Sequence, residues 1–437
     1  MSIPLDRLYH YIESVAQDVY GDTIIYHFYP HGSKNFENLT YIRGYSWVEI
    51  FSKPQIICND QEPLNYKFYQ TTLHCDVWAI GTFERRLCEL FHEELQDQNL
   101  RVVLNIYDQC LILHSEKNSV DVELYQQNNL FFPVYYWNHA FLALDWFRYA
   151  QHLKISKNCI NPKTFLIYNR AWSGTREYRL KFLDLLIQNN LVSTCLTSFN
   201  PIDPESGNHY QNHQFINDYF IPEHPLEQYA NPTLAKSCAS ADFNIDDYTR
   251  TDIEVVLETL FDDSRNYLTE KILRPIACGQ PFILMSTKGS LQYLRDYGFK
   301  TFSPIINEDY DQIVDPLERM NAVISTMNEI AHWGATQRQE KLKILQEISN
   351  FNRTHFFSQD FFNLINNELK DNLRLGLESI EKNNQSLNFI NRRKLALKDE
   401  ILRKMLVSDS PARTKKEIMH LLSLARKYYN KHLAKSK

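Results

Sequence analysis

Glycine is scarce in this chain, 11 residues in 437, which excludes a protein dense in glycine-rich loops. Eight cysteines stand at 58, 75, 88, 110, 159, 195, 238 and 278, and no two form a CxxC pair. That spacing removes a zinc ribbon and a thioredoxin-like site. No run of about 18 uninterrupted apolar residues exists, so no membrane span is expected. Residues 1–20 are amphipathic rather than a charged segment followed by an apolar one, so no signal peptide is expected. The cysteines then read as reduced thiols and the location as cytoplasmic. No D-x-D stands where a metal loop is expected.

What is present is ordinary for a globular chain: 43% hydrophobic and 23% charged residues. At roughly 150 residues per domain, two or three domains are expected. Tyr and Phe are plentiful, 26 each. The net charge of -6 is unevenly spread. Residues 391–437 hold 14 Lys or Arg against 4 Asp or Glu, a surplus of 10 positive charges that leaves the remainder at -16. A basic tail on an acidic body points to an anionic partner, against the plainer reading of a solvated helical face.

Residues 1–158 alternate strand-like and helical runs. Strands are expected at 23–28 (TIIYHF), 54–58, 101–106 and 109–113, with helices at 82–95 and 141–153. A second unit, 159–310, opens with a strand at 164–168 (TFLIY), a polar loop at 169–175, a helix at 176–189 and a strand at 191–196. The strand–loop–helix pattern returns with a strand inside 252–260, a helix over 269–277, a strand at 281–285, a short helix at 290–296 and a last strand from Thr301. Strand–loop–helix–strand is the mark of βαβ units in a parallel sheet. Residues 311–437 read as helical, broken near Asn350 and Pro411.

The segment 267–279 (YLTEKILRPIACG) carries the strongest chemical signal. Thr269 suits the N-cap of a helix, with Glu270 and Lys271 in its first turn. A helix start offers free N–H groups and partial positive charge, which suit a diphosphate. The lysine adds a mobile cation, and the glutamate can accept from sugar hydroxyls. Spacing alone fits a plain capped helix as well.

The stretch 257–284 (LETLFDDSRNYLTEKILRPIACGQPFIL) resembles the signature of the α1,3-fucosyltransferase family, with Glu258 at the glutamate of its F-E-N-like segment and Tyr267, Thr269, Glu270 and Lys271 in its Y-V-T-E-K block. Leu257 and Thr259 replace the neighbours of the F-E-N glutamate. TFLIYNRAWSGTREYRLKFLDLL resembles the family's upstream strand, loop and helix. The resemblance implies donor contacts from Asn169, Arg170, Arg176, Glu258, Tyr267, Thr269, Glu270 and Lys271. The donor-phosphate arginine would be Arg176, with Arg170 and Arg179 as rivals. The N-terminal half is similar instead to phage and viral glycosyltransferases that carry D-Q-E-P-L (here 60–64) and H-S-E-K-N-S (here 114–119). Together these imply an α/β fold of the GT-B type: two Rossmann-like domains facing a cleft, an acceptor side at 1–158, a nucleotide-sugar side at 159–310 and a helical extension at 311–437.

An inverting transfer needs a carboxylate at the acceptor hydroxyl and positive groups at the departing diphosphate. Asp60 or Glu62 is the expected base, with Glu116 second; each alone is more often a turn or capping acid. Lys117 is a candidate for substrate phosphate. Asp60-Gln61-Glu62 could hold a divalent cation, but the resemblance implies protein cations at the diphosphate, so no metal is expected. His27 and His31 flank a loop and read as structural more than as substrate contacts, and 137–139 (WNH) and 145–146 (DW) read as core packing more than as an aromatic stacking platform. The basic tail, with Arg392, Arg393, Lys394, Lys415 and Lys416, suits a phosphate backbone. The donor expected is a UDP- or GDP-linked sugar. The acceptor expected is 5-hydroxymethylcytosine in phage double-stranded DNA, extruded for glucosyl or arabinosyl transfer in the host cytoplasm. Alternatives are fucosyl-like transfer to a glycan or lipopolysaccharide, and a nucleic-acid-binding or virion protein on an inactive scaffold.

Overall fold

A computed structural model describes residues 15, 25–28, 56–57, 110–114, 134–153, 155, 162–204, 206–227, 243–262 and 266–385. These divide into two compact units. One comprises His139–Asn366; the other holds the described residues up to Asn138 and from Asn367 onward. The helical region to Asn366 therefore belongs with the sheet at 163–285, where the sequence reading made residues 311–437 a separate region.

In the unit that contains Asn138, four strands form a parallel sheet: β1 (Ile25–Phe28), β2 (Ile56–Ile57), β3 (Cys110–His114) and β4 (Val134–Tyr136), in the order β2-β1-β3-β4. The expected strands at 23–28, 54–58 and 109–113 each overlap one of these. His27 lies within β1, paired with Ile57 and Ile112.

In the other unit, α1 (Ala140–Trp146) runs into a 3-10 turn at Arg148–His152, so the helix expected over 141–153 is split. There follow β5 (Lys163–Tyr168), α2 (Tyr178–Gln188), β6 (Cys195–Ser198), α3 (Ile245–Thr249), β7 (Thr251–Leu257), α4 (Glu270–Cys278), β8 (Phe282–Met285) and α5 (Ser290–Asp296). Its sheet is parallel throughout, in the order β6-β5-β7-β8. Parallel strands are covered on both faces, so their side chains read as unbroken apolar runs. Phe165, Leu166 and Ile167 of β5, Ile253, Val255 and Val256 of β7 and Ile283 and Leu284 of β8 are all buried. Both units thus repeat one pattern, in which the second strand lies outside the first and the third lies on its other side.

A buried ion pair fixes α4 on the sheet. The Arg274 guanidinium meets Glu254 of β7 at 2.5 Å, and the Tyr248 hydroxyl donates to the other Glu254 oxygen at 2.6 Å. Arg274 also lies over the Tyr168 ring at 4.6 Å. Helix α4 ends at Gly279, whose φ of 67° is the left-handed conformation of a helix C-cap.

Three long helices follow: α6 (Pro316–Ala331), α7 (Ala335–Phe356) and α8 (Gln359–Gln385). The breaks fall at 332–334 and 357–358, not at Asn350. The strand expected from Thr301 does not form. Side chains meet the backbone at 300–302: Asn352 accepts from the Lys300 N–H at 2.8 Å and donates to the Lys300 carbonyl at 2.7 Å, and Glu308 accepts from the Phe302 N–H at 2.5 Å.

Within the other unit, the last part of α8 meets β4. The Tyr136 hydroxyl donates to Glu368 at 3.0 Å, and Asn372 donates to the Tyr136 carbonyl at 2.7 Å.

Candidate functional site

In an open parallel sheet, ligands bind beyond the carboxyl ends of the strands, where the strand order reverses direction. In the His139–Asn366 unit that point lies between β5 and β7, since the chain leaves β5 for β6 on one side and returns to β7 on the other. The segments beyond these two strand ends hold all eight expected donor residues. Asn169 and Arg170 follow β5, and Arg176 closes a 3-10 turn at Gly174–Arg176. Glu258 follows β7, and Tyr267, Thr269, Glu270 and Lys271 lead into α4.

The two segments are stitched together by buried side chains. Arg179 of α2 donates to the Ala171 carbonyl at 2.6 Å and to the Leu257 and Glu258 carbonyls at 2.8 and 2.9 Å. The Tyr178 hydroxyl donates to the Glu258 carbonyl at 2.6 Å, and its ring stacks on Phe261 at 4.4 Å. Burial holds the Arg179 guanidinium below its ordinary value and the Tyr178 phenol above its own. Arg179, a rival for the phosphate contact by sequence, is thus the clamp that holds the two segments in register. From the other side, buried Asp203 accepts from the N–H groups of Trp172 and Ser173 at 2.6 and 2.9 Å, and from the Ser206 N–H at 2.8 Å. The 171–176 loop is therefore braced, while Arg170 and Arg176 stay partly exposed upon it. The Arg176 Nε donates to the Ser173 carbonyl at 3.2 Å.

Glu258 departs from the simple expectation. Its carboxylate is fully buried and accepts from the N–H groups of Thr269 and Ile272 at 3.0 and 3.3 Å, the Thr269 hydroxyl at 2.7 Å and the Thr259 N–H at 3.3 Å. The start of α4 is already met by a protein anion, so its N–H groups are not the open cradle read from the sequence. A carboxylate satisfies the positive end of a helix for the same reason a phosphate would. Lys271 is likewise no mobile cation. Its ammonium donates to Thr259 Oγ1 at 3.2 Å, Thr269 Oγ1 at 3.1 Å and Glu270 Oε1 at 3.1 Å. An ammonium has three protons, and these three oxygens match them.

Glu270 is fully buried, and its second oxygen lies 3.2 Å from Nε2 of His139. The His139 ring stands edge-on to Tyr267, with centroids 5.9 Å apart. His139 read as core packing in the sequence; it is buried, and it also meets Glu270 from a position 131 residues away. A histidine just ahead of an apolar helix carries no spacing signal that could have shown this. Thr259 was also missed, although it stands next to Glu258.

The described cysteines Cys195 and Cys278 are buried, and burial pushes the Cys195 thiol up to about 12, which suits no nucleophile. Among the described residues, no group of three His, Cys, Asp or Glu side chains is placed to hold a metal ion. No helix among them is long and apolar enough to cross a membrane. The expected base candidates Asp60, Glu62 and Glu116, the phosphate candidate Lys117, and the tail residues Arg392, Arg393, Lys394, Lys415 and Lys416 lie outside the described residues, as does His31. No family model, curated protein or solved structure matches the chain.

Proposed function

We propose that the chain is an inverting glycosyltransferase of the GT-B type, with the His139–Asn366 unit as its nucleotide-sugar side. One observation supports this above the others: the TEK block and the arginine-bearing 169–176 loop lie beyond neighbouring strand ends at the switch point of a parallel sheet. Arg176 and Arg170 take the diphosphate, because a partly exposed guanidinium on a braced loop can make forked contacts to phosphate oxygens. Lys271 joins them by giving up one hydroxyl partner for a phosphate oxygen, which costs less than drawing a free lysine into place. Positive groups at the diphosphate stabilise charge as the leaving group departs. Asp60, Glu62 or Glu116 takes the acceptor proton.

The charge of residues 391–437 favours DNA as the acceptor's polymer, and hydroxymethylcytosine supplies the hydroxyl. Transfer to a glycan leaves that charge unused. Purified chain offered a panel of UDP-, GDP- and CDP-sugars is expected to hydrolyse one slowly and to transfer its sugar to hydroxymethylcytosine DNA. Loss of both activities on Lys271→Ala is the expected control. Transfer to an oligosaccharide alone would select the glycan reading, and no turnover of any donor would leave a binding protein.

A further inference from the structure

The buried contact between His139 and Glu270 is not needed to fold a capped helix, since Thr269 and Glu258 already satisfy the start of α4. It does determine where the Glu270 carboxylate stands. Glu270 has one oxygen on the Lys271 ammonium and the other on His139 Nε2. A carboxylate in this pair accepts only, so the imidazole nitrogen facing it must carry the proton. We infer that His139 is a positioning residue for nucleotide-sugar binding: its Nε2–H holds Glu270, and through Glu270 the Lys271 ammonium, in the geometry that meets the donor. The inference rests on the donor-site reading above.

The chain of contacts is continuous. His139 Nε2 meets Glu270, Lys271 donates to Glu270, Thr259 and Thr269, and Thr269 donates to Glu258. Every link ends on a buried or part-buried oxygen, so one freed member shifts the next. Removing the histidine proton donor takes one hydrogen bond from the buried Glu270 carboxylate and leaves it to lean more on Lys271. The ammonium is then drawn fully onto Glu270 and away from a phosphate. Tyr267 stands edge-on to the ring, with centroids 5.9 Å apart.

The test compares His139→Gln, whose amide N–H reaches the position of Nε2, with His139→Met, which has similar length and no proton donor. UDP, GDP and CDP are titrated calorimetrically into the full chain and each variant, and melting temperatures are recorded. His139→Gln is expected to hold the wild-type dissociation constant to within about threefold, and His139→Met to weaken it about tenfold, the scale of a lost hydrogen bond to a charged group. Equal binding by His139→Met, or equal loss in both variants, overturns the inference while the donor site stands. A wild-type chain that binds none of the three nucleotides overturns the donor reading and this inference with it. Should His139→Met not fold, ¹⁵N spectra of histidine-labelled wild-type chain decide. A protonated Nε2 that shifts on adding the bound nucleotide supports the role, and an unprotonated or unresponsive Nε2 refutes it.

Discussion

Glu258 and Lys271 show how differently two neighbouring charges in one motif are used. Glu258 is sealed within the protein and spends its oxygens on four donors, so its place is structural. Glu258→Ala is expected to destabilise the fold by about 3 kcal/mol, because a buried helix start loses its anion and several donors lose their acceptor. Chemical denaturation measures this. Lys271→Ala takes the ammonium from the buried Glu270 carboxylate, so it is expected to lower stability as well and to weaken nucleotide binding roughly 10- to 100-fold. The cap of α4 at Thr269, with Glu270 and Lys271 in its first turn, was legible because caps follow local spacing. The clamp by Arg179 and the contact by His139 were not. Both depend on which strand ends become neighbours, and nothing within a ten-residue window encodes that.

At the scale of elements, the strands of the second sheet were legible from their apolar runs, and α4 from its cap. The misread pieces trace to tertiary contacts that override local signals. The run 349–352 (SNFN) reads as a helix breaker, yet α7 continues through it because Ser349 and Asn352 are buried and hydrogen-bonded. Gly279→Ala places a Cβ 3.2 Å from Arg353 Cδ in a left-handed residue, so it should cost about 1–2 kcal/mol by denaturant midpoint. Asp184 is buried on α2. Burial alone would raise its carboxyl, but a backbone hydrogen bond from Glu223, the ring of His224 at 2.7 Å and Lys181 at 3.0 Å outweigh burial and hold it below the ordinary carboxylate value. A lowered folded-state value means the stability is present above the unfolded carboxylate pKa of about 3.9 and is lost as pH falls through the lower folded value. Asp184→Asn should therefore be clearly less stable than wild type at neutral pH, with the gap closing below about pH 4. A gap independent of pH would show that shape rather than charge holds α2 to the 223–224 segment.

For the whole molecule, the division of charge is the feature that no single element explains. The surplus of 10 positive charges in residues 391–437 predicts binding to duplex DNA that weakens steeply with salt, each neutralised phosphate adding about 0.9 to the slope of log affinity against log salt. A chain cut after Gln385 is expected to lose that binding and keep its nucleotide affinity. Both units contain a parallel sheet with the same strand order, which the alternation of strands and helices in the sequence foreshadowed. The central claim is that the switch point between β5 and β7 holds a nucleotide diphosphate. Titrating UDP-, GDP- and CDP-sugars into wild type, Arg176→Ala and Lys271→Ala tests it most directly. One donor should bind saturably to wild type and roughly 10- to 100-fold more weakly to each variant, the range for lost hydrogen bonds to charged groups. Equal affinity in all three proteins, or no binding of any donor to wild type, would contradict it.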